Sequence, residues 1–224
     1  MSEPSRQWAS EEGHPQSDGP DAAPSQEVLV QPTPYIRIPD FLTSDENRWL
    51  LDYVARRESD FAAASVTTEI PEERLARVLY HIEEANAWFE KKLKSVIDDA
   101  FLYIMQREPD IERFETQLTA SGDGDYFKIH TDGGAEVVGK RTLTYTCYFS
   151  TQPRAFSGGS LKIFDYIIVE NEIRPVESFV EIEPANNSIV FFPSWAFHEV
   201  SPVHCESERF IDSRFTLNGW AHTR

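Results

Sequence analysis

The sequence predicts an α+β fold with a mainly β core: a sheet sandwich or barrel with helices packed on one side. Three observations carry that expectation. Segments before Pro109 repeat apolar residues at helical spacing, whereas the later runs "RTLTYTCYFS", "SLKIFDYIIVE", "SFVEIEP", "SIVFFPSW" and "RFTLNGW" are β-branched and aromatic. Gly, Pro and Asn separate those runs, as they do between short strands. With 224 residues, 40% of them hydrophobic and 12% aromatic, the chain can bury one sizeable core and is too short for two comfortable domains.

Residues 1–32 are rich in Pro, Ser, Glu, Asp and Gly and are expected to form a disordered acidic tail, leaving residues 33–224 as the folded domain. Tyr35, Ile36 and Ile38 suggest a short strand. Thr43 then caps a helix, with Glu46 completing a capping box and Trp49, Leu50, Tyr53 and Val54 forming its apolar face. Residues 62–72 carry no clear period and read as a loop or irregular strand. A long helix, broken at most once, is expected from Pro71 to Met105, because Leu75, Val78, Leu79 and Ile82, then Trp88, Phe89, Leu93, Val96 and Ile97, recur at helical spacing. After Pro109, "FETQLTASGDGDYFKIHTD" reads as strand, turn, strand.

Charge excludes whole classes of partner. The formal net charge of −17 argues against nucleic acid and against an anionic membrane surface, both of which need a basic footprint. There is no apolar run of transmembrane length, and the polar, acidic start is not that of a signal peptide. Two cysteines, Cys147 and Cys205, make no disulfide framework, so a reducing cytoplasm is the default setting.

The chemistry centres on "GDYFKIHTDGG". A lone His-x-Asp triplet is weak evidence of anything. If "YFKIH" is a strand, however, residues 128, 130 and 132 project to one face, His130 and Asp132 converge, and Gly133 and Gly134 let the chain turn away. A third ligand is available in His198, at the end of the apolar run "SIVFFPSWAF". The competing reading of His198 is a core histidine bonded to a carbonyl. The other histidines offer less: His14 lies in the tail, His81 in the expected long helix, His204 in a charged loop and His222 near the C-terminus. Two His and one Asp form the facial triad of non-haem iron(II) oxygenases, whereas a structural zinc site closes its coordination, commonly with thiolates. In "SRFTLNGW", a strand places Arg214, Thr216 and Asn218 on one face and Phe215 and Leu217 on the other. Arg214 and Thr216 would suit a carboxylate; the competing reading is a surface salt bridge on an edge strand.

Together these segments resemble the prolyl-4-hydroxylase-like branch of the iron(II)/2-oxoglutarate-dependent dioxygenases. The resemblance runs from about Tyr35 to Trp220 and rests on "YIRIPDFLTSDE", the His-x-Asp strand, "SGGSLKIF", "FFPSWAFHEV" and "RFTLNGW" in that order. It implies a double-stranded β-helix, or jelly roll, buttressed by N-terminal helices. It implies His130, Asp132 and His198 as iron(II) ligands and Arg214 as the partner of the distal carboxylate of 2-oxoglutarate. Tyr148 would bond the same carboxylate, with Tyr126 and Leu161 lining the cofactor pocket. The implied reaction hydroxylates an unactivated C–H bond, consuming O2 and releasing succinate and CO2, with ascorbate as a supporting reductant. The substrate would be a prolyl or other residue in a protein, or a free amino acid or small metabolite. Loops 62–72, 133–140 and 151–159 are placed to select it. The gap of 16 residues (214 − 198) from His198 to Arg214 exceeds the family's usual spacing and contains a rival, Arg209. Arg214 is preferred because "FT" follows it and "GW" lies downstream. Related halogenases replace the triad carboxylate with a small residue, so Asp132 favours hydroxylation. The competing class is a non-catalytic jelly-roll binding module, whose signature would be a missing ligand or missing basic residue. A zinc hydrolase on the same triad would leave Arg214 and Tyr148 without a role.

Overall fold

Strand β1 (Ile36–Pro39) leads into helix α1 (Ser44–Arg56), which starts at the expected cap. Thr43 Oγ1 accepts from the Glu46 amide at 3.2 Å, and the Glu46 carboxylate accepts from the Thr43 amide at 2.7 Å. Two N–H groups left over by the helix ladder are thus satisfied reciprocally. The computed structural model describes residues 29–64, 73–133 and 140–224. The expected disordered tail lies outside these as far as residue 28. Gln31 is already held in the fold, exchanging backbone hydrogen bonds of 2.8 and 2.9 Å with Tyr166.

The helix expected from Pro71 to Met105, broken at most once, ends at Met105 and is broken once, but it begins only at Glu83. Strand β2 (Ala62–Ala63) occupies the start of the irregular segment, and Pro71 lies outside the described residues. Strands β3 (Arg74–Leu75) and β4 (Arg77–Leu79) follow, and only then helices α2 (Glu83–Leu93) and α3 (Ile97–Met105). Leu75, Val78 and Leu79 are therefore strand residues, Ile82 caps α2, and His81 is exposed in the connection. A short apolar run cannot distinguish helix from strand by period. Here a neighbouring strand decides, since Arg77, Val78 and Leu79 pair with Ala120, Thr119 and Leu118.

The β half matches the expected runs. Its strands are β5 (Ile111–Ser121), β6 (Tyr126–His130), β7 (Arg141–Phe149), β8 (Ser157–Gly158), β9 (Leu161–Val169), β10 (Glu172–Ile182), β11 (Ser188–Pro193), β12 (His198–Val200), β13 (Val203–His204) and β14 (Arg214–Thr223). A major antiparallel sheet runs β1-β11-β7-β14-β5-β4-β2 and a minor one β10-β9-β12-β6-β3. Their packing gives the jelly roll.

Alternation along the strands of the major sheet builds two cores from one set of sequences. On one face Tyr145, Cys147, Ile189, Phe191, Phe215 and Leu217 pack against the helices, including Tyr53, Phe89, Leu93 and Phe101. On the other, Tyr148, Val190 and Phe192 meet Leu161, Ile163 and Ile182 of the minor sheet. Both cysteines are free and buried. Gly219 sits where a side chain cannot: a Cβ there would come within 2.0 Å of the Glu115 carbonyl and 2.6 Å of the Tyr145 hydroxyl. None of the described helices is long and apolar enough to cross a membrane.

Candidate active site

His130 ends β6, His198 begins β12, and the two residues are directly paired across the minor sheet. Asp132 does not continue the strand, as the reading of 128, 130 and 132 on one face had it. The strand stops at His130, and the Asp132 and Gly133 amides both donate to the Ser194 carbonyl at 2.9 Å. That turn delivers the carboxylate to the imidazoles. Gly134 and the rest of that loop to residue 139 lie outside the described residues. The three ligand atoms fall within 4.8 Å of one another. His130 Nε2 is 3.8 Å from Asp132 Oδ1, and His198 Nε2 is 3.5 Å from Asp132 Oδ2.

The tautomers follow from the second ring nitrogens. His130 Nδ1 lies 2.7 Å from the Lys128 carbonyl and His198 Nδ1 lies 3.0 Å from the Ala196 carbonyl. A carbonyl only accepts, so each Nδ1 carries the hydrogen and each Nε2 turns a lone pair inward. Burial, and then the neighbouring His198, push the His130 pKa down to about 3, which keeps the ring neutral. Burial would raise the Asp132 carboxyl, but His198 and His130, with smaller help from Trp220 and Thr144, hold it below its ordinary value. Two neutral imidazoles and one carboxylate, with an open cavity on their remaining side, fit a divalent metal of the iron(II) type. Thr144 fixes the carboxylate, donating to Asp132 Oδ2 at 2.8 Å while its hydroxyl also meets Ser194 Oγ at 3.0 Å.

The same cavity is walled by Arg214, Thr216, Tyr148, Tyr126 and Leu161. Every residue expected at the cofactor pocket therefore lines it. Arg214 is 4% exposed, its guanidinium lies 5.0 Å from the Tyr148 ring centroid, and its Nε is buried without an acceptor. The Tyr148 hydroxyl is also buried without a partner. Burial pushes the Arg214 pKa down and that of Tyr148 up, and each group draws the other back. An arginine that keeps its charge and leaves donors unused suits a carboxylate, so the cosubstrate fits this end of the cavity. Arg209 does not compete. Its guanidinium is largely exposed and pairs with Asp212 at 2.7 Å.

Residues 116–222 match the family profile of the 2OG-Fe(II) oxygenase superfamily. Over that stretch the chain resembles a 2OG-Fe(II) oxygenase domain. An uncharacterized PKHD-type hydroxylase of Synechocystis is 35% identical to it over 196 residues, covering 87% of this chain and 65% of that relative. The chain thus spans less than two thirds of that relative's length. Among solved structures, a prolyl-4-hydroxylase of Pseudomonas putida superposes with a TM-score of 0.61 at 21% identity, covering 86% of this chain and 94% of that one. A prolyl hydroxylase of Trichoplax adhaerens, solved with a peptide fragment of the hypoxia-inducible factor oxygen degradation domain, gives 0.62 at 16% identity, covering 84% and 83%. At these identities the two structures speak for the fold.

Several residues of the cavity escaped the sequence reading. Thr144 and Thr146 line it, and the Thr alternation in "RTLTYTCYFS" was the available signal, since Leu143, Tyr145 and Cys147 take the helix side. Thr119 on β5 is another; it sits opposite Thr216 and donates at 2.8 Å to Asn218, which the sequence had already placed on the Arg214 face. Arg74, misassigned to a helix, had no local signal at all.

Proposed function

We propose that this chain is an iron(II)- and 2-oxoglutarate-dependent hydroxylase of an unactivated C–H bond, with residues 33–224 acting as one dioxygenase domain. One observation carries the reading: a cavity holds the His130–Asp132–His198 cluster at one point and a buried arginine with unused donors, Arg214, at another. His130, Asp132 and His198 would hold the metal. Arg214, Tyr148 and Thr216 would take the distal carboxylate of 2-oxoglutarate, with Tyr126 and Leu161 as walls. The loaded metal and cosubstrate supply the oxidising power; the protein supplies geometry, an ionised Asp132, neutral imidazoles and exclusion of water.

The proposed substrate is a residue in a protein or a free amino acid or small metabolite, selected by loops 62–72, 133–140 and 151–159. Segments 65–72 and 134–139 of these lie outside the described residues. The Trichoplax neighbour's peptide complex is one support for a peptide substrate. Ascorbate as reductant and a cytoplasmic setting belong to the same proposal, and the charge of −17 supports a partner other than nucleic acid or an anionic membrane. The test is direct. Protein loaded with iron(II) and 2-oxoglutarate without oxygen should show the weak visible band of the chelate, and should release succinate in air. Absence of both with metal bound would favour a non-catalytic binding module.

A further inference from the structure

Arg74 repeats, on the opposite sheet, the signature that marks Arg214. It lines the same cavity, and its Nε is buried without an acceptor. The side chain spans from β3 on the minor sheet to β5 on the major one, where Nη2 donates a long 3.3 Å hydrogen bond to Thr119 Oγ1. Its guanidinium lies 4.9 Å from the ring centroid of Phe127, the residue it pairs with on β6. Phe127 in turn stacks on His130 with centroids 3.5 Å apart. A cation is therefore held over an aromatic ring that itself stacks on a residue of the metal cluster, and its Nε has no acceptor. A buried donor without an acceptor is costly until something supplies one.

Charge points to what that is. Among the described residues, the side chains lining the cavity include two arginines, Arg74 and Arg214, and one carboxylate, Asp132. On the proposed reading Asp132 and one carboxylate of the cosubstrate offset the divalent metal, and Arg214 offsets the distal carboxylate. The charge of Arg74 is left over, in a site where charge is poorly solvated.

Resting on that reading, we propose that Arg74 is a substrate-binding residue and that the substrate presents a carboxylate to it: a free amino or other small acid, or the C-terminus of a peptide. The planar guanidinium fork grips such a group through parallel N–H bonds, whereas an amide carbonyl offers one oxygen and no charge.

The test takes the full chain with iron(II) and 2-oxoglutarate under nitrogen, where the visible band reports that this complex has formed. The probes are the free L-amino acids and a set of tripeptides with free C-termini, each titrated against its own C-terminal amide and read by perturbation of the band. At least one carboxylate should bind tenfold or more tightly than its amide. Arg74→Gln should erase the difference, and Arg74→Lys should recover part of it. A response to free amino acids identifies a small acid; a response to tripeptides alone identifies a chain terminus. If no carboxylate binds, or acids and amides bind alike in the parent protein, the proposal fails. Absence of the band would instead overturn the cosubstrate reading, and melting temperatures of the metal-free protein with the same matched pairs then judge Arg74 independently.

Discussion

Gly159 and Arg214 occupy space that only a glycine leaves open. A Cβ on Gly159 would lie 2.6 Å from Arg214 Cδ and 2.9 Å from Val203 Cγ2, and the Gly159 backbone has φ +68°. The glycine pair of "SGGS" thus lets the chain pass against the buried arginine. Gly159→Ala is expected to cost roughly 1–2 kcal/mol from the left-handed backbone alone, with the clash in addition, and to weaken 2-oxoglutarate binding by displacing Arg214. Denaturant melts and 2-oxoglutarate titration check both; an alanine variant with parental affinity would show that Arg214 tolerates the shift.

The two arginines at the end of the chain should behave differently. Removing one partner of a buried charge pair costs about 3–5 kcal/mol, and each 1.4 kcal/mol is about tenfold in affinity. Arg214→Ala should therefore weaken 2-oxoglutarate roughly a hundredfold or more while the metal still binds. Arg209→Ala, which loses an exposed ion pair, should change it by only about a few fold. The reverse order would mean the wrong arginine has been assigned.

His130→Ala, Asp132→Ala and His198→Ala should each abolish metal binding and turnover in a protein that still folds. Metal titration followed by circular dichroism is sufficient. Parental metal affinity in all three variants would remove the triad from consideration.

Thr144 should matter through Asp132. Loss of a hydrogen bond to a metal ligand typically costs about 10–100-fold in metal affinity. Thr144→Val, close in volume at a position 3% exposed, should weaken cobalt(II) or iron(II) accordingly, and Thr144→Ser should restore it. Equal affinity in the valine variant would show that the Thr144 hydroxyl does not set the carboxylate's geometry.

The α1 cap should depend on pH. Burial raises the Glu46 pKa, but Lys92 at 2.6 Å and the Thr43 amide lower it further than burial raises it, so the folded value lies below the ordinary 4.5. Its contribution is then complete above the unfolded pKa and is lost as pH falls through the folded one. Glu46→Ala should cost about 1 kcal/mol at pH 7, and the gap from the parent should close towards pH 3. A gap of constant size in urea melts at both pH values would assign the effect to packing.

By itself the sequence determined the β half and which side chains could form the proposed site. Period-2 runs with a buried face can fold in one register only, because a slip of one residue would turn Phe215 and Leu217 into the cavity and Arg214 and Thr216 onto the helices. The cap at Thr43 was equally legible, since its donors and acceptors lie three residues apart. What lies between residues 73 and 82 was decided by tertiary structure. The run with Leu75, Val78 and Leu79 suits a helix as well as a strand, and the open edge of β5, more than thirty residues downstream, supplied the hydrogen bonds that chose. A second pairing, of β3 with β6, brought Arg74 to the cavity wall. The turn that aims Asp132 depends on the Ser194 carbonyl, and the tautomers of His130 and His198 depend on backbone carbonyls set by the local chain path. Residue type and spacing encode which groups can react. Their convergence depends on hydrogen-bond partners distant in sequence, which no local pattern contains.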